Sequence, residues 1–274
     1  MNASPHLFAI LRGLIEERVG LHYGPAERDV FLDKVQVRAL EVGFESLLDY
    51  YYYLRYDDPD GVELDRLTEA LVVHETYFFR ELEPLAVAVE DVVGPLVAAG
   101  QRARIWSAAC ATGEEPLTAA MLLAERGWLD RVDVVATDIS RSAIERARRG
   151  EFSQRALRDT VRPALARRWL RERERKVTCD RRLIDAIRWS RLNLLDQPGI
   201  AALGAFDLIL CRNVLIYFSD ALAARVAGSL AGALRPSGSL LVGVSESLLR
   251  FATPLECQER RGVFLYSKPE AGAR

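Results

Sequence analysis

The sequence predicts an α/β protein in which a small all-helical region precedes a mostly parallel sheet with helices on both faces. Three observations predict it. From residue 4 to about 82 the apolar residues recur at helical spacing. After about residue 95 short β-rich apolar runs alternate with amphipathic stretches. Finally, 50% of the 274 residues are apolar, enough to bury a sizeable core.

In the N-terminal region, Leu7, Ile10, Leu11, Leu14 and Ile15 mark a first helix, with Ser4 as N-cap and Pro5 in the first turn. Leu47, Leu48, Tyr51 and Leu54 mark a later one, and Gly20, Gly24-Pro25, Gly43 and residues 57–61 punctuate the helices. The run Tyr50 to Tyr53 covers too much of a helix circumference to be one face, and reads as packing plus interface. This region and its linker helix span residues 1–82. Residues 83–274 form the second domain.

There, "ARIWSAAC" (103–110) is the first strand, followed by a helix over "PLTAAMLLAERGW". "VDVVATDIS" (132–140) is the second, followed by a helix over "RSAIERARRG". A strand region at 206–218, a helix over 219–234, a strand at 237–247 and a terminal "GVFLYSK" complete the alternation. Ligands of such sheets sit at the carboxyl ends of the strands, which picks out Ala108 to Glu115, Asp138, and Arg212 to Tyr217.

Composition removes several function classes. A net charge of -2 excludes a uniformly basic nucleic-acid coat. Arginine outnumbers lysine 34 to 3, a bias attributed first to genomic base composition. Cys110, Cys179, Cys211 and Cys257 form no C-x-x-C pair and have no nearby histidine, so neither a metal site nor a disulfide framework is expected, and a reducing cytoplasm fits. The N-terminal apolar stretch is broken by Arg12, unlike a signal peptide, and no apolar run approaches the length of a membrane span. Residues 141–182 hold 15 basic against 6 acidic side chains. Either they form an electrostatic dock for an acidic partner or they are a solvated face of alternating charges; no nucleic-acid partner is expected.

The loop Ala109-Cys110-Ala111-Thr112-Gly113 after the first strand, with Asp138 at the tip of the second, is how α/β pockets hold an adenosine: close backbone first, carboxylate to ribose second. The loop lacks the G-x-G-x-x-G of dinucleotide sites. Glu114 and Glu115 would repel a pyrophosphate and suit a ligand with cationic centres such as S-adenosylmethionine, or they simply favour the positive helix N-terminus. Taken alone, the pattern describes any Rossmann-like methyltransferase or dehydrogenase.

"HETYFFRE", "WSAACATGEEP", "ATDIS", "LNLLD", "FDLILCRNVLIYF" and "SES" stand in the order and spacing of the CheR-type chemotaxis receptor methyltransferases, which the chain resembles from about residue 7 to 267. The resemblance implies a Rossmann-like S-adenosylmethionine-dependent methyltransferase domain with an N-terminal all-helical subdomain and a small inserted antiparallel β-subdomain around 168–191. It implies cofactor contacts at His74, Thr76, Arg80, Ala109, Gly113, Glu115, Asp138, Asn193, Leu194, Arg212 and Asn213, with Arg80 and Tyr217 as catalytic residues. Phe78 and Phe79 are expected to pack the helical subdomain against the catalytic one.

The implied activity is methylation of glutamate side chains in the cytoplasmic helical region of a chemoreceptor, giving methyl esters and S-adenosylhomocysteine. A glutamate is ionised above a pKa of about 4.3 and needs no general base. That suits a chain whose three histidines, His6, His22 and His74, form no nucleophile couple.

Four departures qualify the resemblance. Leu117 and Thr118 replace a more usual Tyr-Ser pair after the proline, which should not abolish binding. His74 stands where the family commonly has Asn. "DKVQVRALEVG" offers only Lys34 and Arg38 where relatives often carry a dense basic face, and the insertion lacks a glycine-rich loop, so dependence on a receptor tail peptide is not expected. No heptad or edge-strand signal argues for more than a monomer. A non-catalytic S-adenosylmethionine sensor or scaffold of the same fold, or a methyltransferase for another acceptor, remain competing readings.

Overall fold

The computed structural model describes residues 4–158 and 164–270. The chain divides into two compact units, residues 1–73 with 216–222, and residues 74–215 with 223–274.

The first unit holds α1 (Pro5–Arg18), α2 (Arg28–Glu41), α3 (Leu47–Tyr52) and α4 (Val62–Leu71). Helix α1 begins where its sequence signals place it, with Ser4 Oγ accepting Leu7 N at 3.2 Å and Pro5 in the first turn. Its Phe8, Leu11, Leu14 and Ile15 are buried, as are Phe31, Val35, Tyr50, Leu67 and Leu71 of the other helices, and the Phe8 and Phe31 rings meet edge-on at 5.8 Å. A polar knot lies inside. Tyr50 Oη donates to Glu63 Oε1 at 2.7 Å, and Arg38 Nε and Nη2 donate to the two Glu63 oxygens at 2.7 Å each. Asp58 caps α4 by accepting Glu63 N at 3.2 Å and Leu64 N at 2.9 Å. The tyrosine run therefore divides: Tyr50 is wholly buried and Tyr52 is 50% exposed.

The second unit runs α5 (Leu82–Ala88), α6 (Gly94–Ala98), β1 (Ala103–Ala108), α7 (Glu114–Glu125), β2 (Val132–Asp138), α8 (Arg141–Arg149), β3 (Glu151–Ser153), α9 (Ala164–Trp169), β4 (Leu170–Arg173), β5 (Lys176–Cys179), α10 (Arg181–Asp185), β6 (Ile187–Arg191), α11 (Gln197–Ala202), β7 (Phe206–Cys211), α12 (Asp220–Gly232), β8 (Leu234–Val242), β9 (Glu256–Arg260) and β10 (Val263–Ser267). The first residues of α12 fall in the segment grouped with the helical unit. A seven-stranded sheet has the order β6-β2-β1-β7-β8-β10-β9. All its pairs are parallel except those of β10, which runs antiparallel to β8 and β9. Strands β1, β2 and β7 are buried almost throughout, as strands covered on both faces must be. The order reverses between β1 and β7, so the crevice for a ligand lies at their carboxyl ends.

A separate antiparallel sheet, β3-β5-β4, draws its strands from 151–153, 170–173 and 176–179. The span 168–191 coincides with it only in part. Ile187–Arg191 instead pairs with β2 as the edge of the main sheet, its Trp189 side chain buried and donating to Ile184 O at 3.0 Å. Two expected strands are also shorter. The region 206–218 stops being strand at Cys211, because Asn213 is left-handed at φ 59°, and 237–247 becomes loop after Val242, where Glu246 takes over the backbone donors.

Residues 72–81 are not the end of a helix but an extended link closing in a turn. Phe78 and Phe79, expected to pack the helical subdomain against the catalytic one, fall in the α/β unit. Both are buried within the core of the α/β unit, where Phe78 meets the Phe152 ring at 4.8 Å and donates its N–H to Ala156 O at 2.8 Å. Phe79 N donates to Thr118 Oγ1 at 3.3 Å.

Candidate active site

The carboxyl ends of β1, β2 and β7 are shaped by left-handed backbone. Ala109 (φ 60°), Ala111 (φ 47°) and Gly113 (φ 97°) turn the chain from β1 into α7. At Gly113 space is also decisive, since a Cβ would stand 2.7 Å from the Ala147 Cβ and 2.9 Å from the Trp189 ring. Cys110 N donates to Thr137 O at 2.9 Å and Ala111 N to Asp138 Oδ2 at 2.7 Å, tying the loop to β2. Asp138 is 6% exposed and takes Ser140 N on its other oxygen at 2.9 Å. These donors fix the carboxylate plane. Leu192 N donates to Asp138 O at 2.9 Å, so Asn193 and the buried Leu194 follow beside that strand tip.

A second cluster surrounds Arg212, whose side chain is 2% exposed. Nη1 donates to Glu115 Oε2 at 3.1 Å, and Nη2 to Arg80 O at 2.8 Å, Glu81 O at 3.2 Å and Glu81 Oε2 at 2.9 Å. Glu115 accepts Ser107 Oγ on its other oxygen at 2.8 Å. Asn213 donates its backbone N–H to Glu246 Oε2 at 2.7 Å and its Nδ2 to Glu81 Oε1 at 3.4 Å. One hydrogen-bonded chain thus links β1, α7, the turn before α5, and the ends of β7 and β8.

Acids outnumber cations around these loops. Glu114 is buried, and burial holds its carboxyl above the ordinary range although Thr112 Oγ1 donates to it at 2.7 Å. Two thiols register the same field. Burial, then the charges of Asp138, Glu115 and Glu114, push Cys110 far up; burial, then Glu246 and Glu115, do so for Cys211. Both stay protonated and are unsuited to nucleophilic catalysis. Among the described residues, His74 Nε2, Arg212 Nε and Glu246 Oε1 are buried in this unit without a hydrogen-bond partner, and no group of three side chains could hold a metal.

The model of the CheR methyltransferase, SAM binding domain, matches residues 74–263. The chain belongs to the CheR methyltransferase family. Chemotaxis protein methyltransferase 2 of Vibrio cholerae is 32% identical over 97% of this chain and 93% of that protein. Chemotaxis protein methyltransferase 1 of Pseudomonas aeruginosa is 31% identical over 90% of this chain and 92% of that protein, and a Vibrio parahaemolyticus chemotaxis protein methyltransferase is 36% identical over 66% and 67%.

As a member of the CheR methyltransferase family the protein is an S-adenosylmethionine-dependent methyltransferase, and its α/β unit fits that cofactor. A buried carboxylate held by two backbone donors, with further acids around it, suits a ligand that carries hydroxyls and cationic centres.

Of the residues expected at the site, the structure gathers Ala109, Gly113, Glu115, Asp138, Asn193, Leu194, Arg212 and Asn213 at the strand tips. Arg80 joins through its carbonyl, while its Nη1 donates to Glu75 O at 2.9 Å and its guanidinium lies 5.7 Å from the Tyr77 ring centre. His74 and Thr76 lie half-buried in the link before that turn. Tyr217 belongs to the segment grouped with the helical unit, where its carbonyl accepts His22 N at 2.8 Å. Sequence reasoning overlooked Glu81 and Glu246. Each stands inside a motif it quoted, "FFRE" and "SES", but no spacing rule gives an acid there a role.

Proposed function

We propose that the protein methylates glutamate carboxylates in the cytoplasmic helical region of a chemoreceptor, forming glutamate methyl esters and S-adenosylhomocysteine during chemosensory adaptation. The observation that carries the reading is the near full-length similarity to a chemotaxis protein methyltransferase, joined to an acidic pocket built on Asp138. S-adenosylmethionine, when bound, supplies a methyl group made electrophilic by its sulfonium. Asp138 holds the ribose, Asn193 and Leu194 flank the adenine, and His74, Thr76 and Glu115 serve the amino-acid end, with the backbone of Ala109, Gly113 and Asn213 closing around the ligand. Arg212 acts from within the protein. Arg80 orients the acceptor carboxylate through paired N–H donors, and Tyr217 faces the reacting methyl. The acceptor is already ionised, so position and charge suffice.

The partner surface is not a basic face on α2. Arg38 is committed to Glu63 and, at 2.8 Å, to Glu41, and Lys34 Nζ donates to Leu71 O at 3.4 Å. Independence from a receptor tail peptide is supported by the turn between β4 and β5, which is Glu174-Arg175 and contains no glycine. Among the described residues no helix is long and apolar enough to cross a membrane; a cytoplasmic monomer is proposed.

Calorimetric titration with S-adenosylhomocysteine, beside NAD and repeated on Asp138→Ala, tests the pocket. Transfer of labelled methyl groups to chemoreceptor-bearing membranes, with methanol released by base, tests the acceptor. Binding without base-labile transfer would make the protein a sensor or scaffold instead.

A further inference from the structure

Glu81 stands at the N-cap of α5, where a capping side chain accepts the first free N–H groups of its helix. It makes no such bond. Its backbone is left-handed at φ 47°, ψ 55°, a conformation an L side chain adopts only when its surroundings compel it, and its carboxylate is turned away from α5. One oxygen accepts Arg212 Nη2 at 2.9 Å and Val244 N at 3.3 Å, and the other Asn213 Nδ2 at 3.4 Å. The same Arg212 nitrogen holds the carbonyls of Arg80 and Glu81. The peptide that carries Arg80 is therefore gripped between two left-handed residues, Phe79 at φ 66° and Glu81, by a guanidinium that Glu81 itself fixes.

We propose that Glu81 is a positioning residue for methyl transfer: through Arg212 it locks the Arg80 turn and the Asn213 loop in one mutual arrangement. Geometry favours this over a stabilising surface pair. Arg212 is almost fully buried, and its terminal nitrogens are divided between Glu115 on α7 and the Arg80 turn. Removing the Glu81 carboxylate leaves the Glu115 contact in place but frees the turn, and a catalytic group displaced by about 1 Å loses on the order of a hundredfold in rate. Asp138 is held by Ala111 N and Ser140 N, and the backbone of Asn213 by Glu246, so cofactor affinity should be spared.

The inference rests on the proposed reaction. The experiment compares full-length wild type, Glu81→Ala, Glu81→Gln and Asp138→Ala for S-adenosylhomocysteine affinity and for base-labile methyl transfer to chemoreceptor-bearing membranes. For Glu81→Ala a loss of about a hundredfold in kcat is expected, with the dissociation constant within about threefold of wild type. Glu81→Gln should recover to within about tenfold of wild type, because its amide oxygen can still accept from Arg212 and Val244, and the Asn213 amide can turn to meet its NH2. Wild-type kcat in Glu81→Ala overturns the proposal. So does a parallel fall of kcat and affinity in both Glu81 variants, which would make the residue a support of the fold. If wild type shows no Asp138-dependent binding, or no base-labile transfer, the proposed function fails and takes this inference with it; if both are present and the Glu81 variants are indifferent, the inference alone fails.

Discussion

The helical unit and the α/β unit each bury an ionic network, and the two are built on different terms. In the first, Glu63 has both oxygens satisfied by Arg38 and Tyr50, and none of these side chains is left with an unpaired buried atom. In the second, Arg212 sits among Glu81 and Glu115, with Glu246 beyond Asn213, while Arg212 Nε and Glu246 Oε1 lack partners. Backbone strain divides the same way: among the described residues the non-glycine positions with positive φ include Phe79, Glu81, Ala109, Ala111 and Asn213 around the site, and none in the helical unit. A network that only holds helices together can be completed. One that serves a ligand keeps a charge imbalance and stored strain.

Breaking each network should separate the two roles. Arg212→Met leaves Glu81 and Glu115 without their cation in a nearly closed site, and should cost about 3–5 kcal/mol of stability together with methyl transfer. Arg38→Met leaves Glu63 with Tyr50 and a 4.0 Å ion pair to Arg66 and should cost about 3 kcal/mol, with S-adenosylhomocysteine affinity unchanged. Urea unfolding read beside calorimetric titration checks both; a change in ligand affinity for Arg38→Met would erase the contrast. Asp138→Ala should do the reverse, weakening ligand binding by about 2 kcal/mol through loss of the anchored acceptor while unfolding moves less. Tyr50→Phe removes one of several bonds to Glu63 and should cost about 1 kcal/mol, visible only in the unfolding midpoint.

The smallest effect concerns pH, and its sign differs between the units. Burial raises Glu16, but hydrogen bonds from Ser219 and His22 and the charges of His22 and Arg12 outweigh it, so its carboxyl rests below the ordinary value. Its contribution is present above that value and is lost as pH falls through its folded pKa. Glu114, raised by burial, contributes in acid, and that contribution is lost as pH rises through its folded pKa. Unfolding midpoints near neutrality should therefore fall slightly for Glu16→Gln and rise slightly for Glu114→Gln, with both differences shrinking in acid.

What the sequence made legible follows from which interactions are local. Ser4 and Pro5 announced α1 because a cap and its helix are neighbours in the chain, and the buried runs of β1, β2 and β7 announced a parallel sheet. Asp138 and Gly113 were readable because strand tip, loop and helix start succeed one another. Glu81 was not, because its partners Arg212 and Val244 lie 131 and 163 residues away. The edge strand Ile187–Arg191 was misjudged for the same reason: only pairing with β2 shows to which sheet it belongs. Phe78 and Phe79 carried a strong signal for burial but none for which core receives them.

One topological detail reaches beyond catalysis. The chain lends residues 216–222, Tyr217 among them, to the unit built by its first 73 residues, and then returns. The two units are consequently not modular: severing the gene after residue 73 would yield neither piece whole. A chimaera exchanging the N-terminal region between relatives should therefore carry this short interior patch with it.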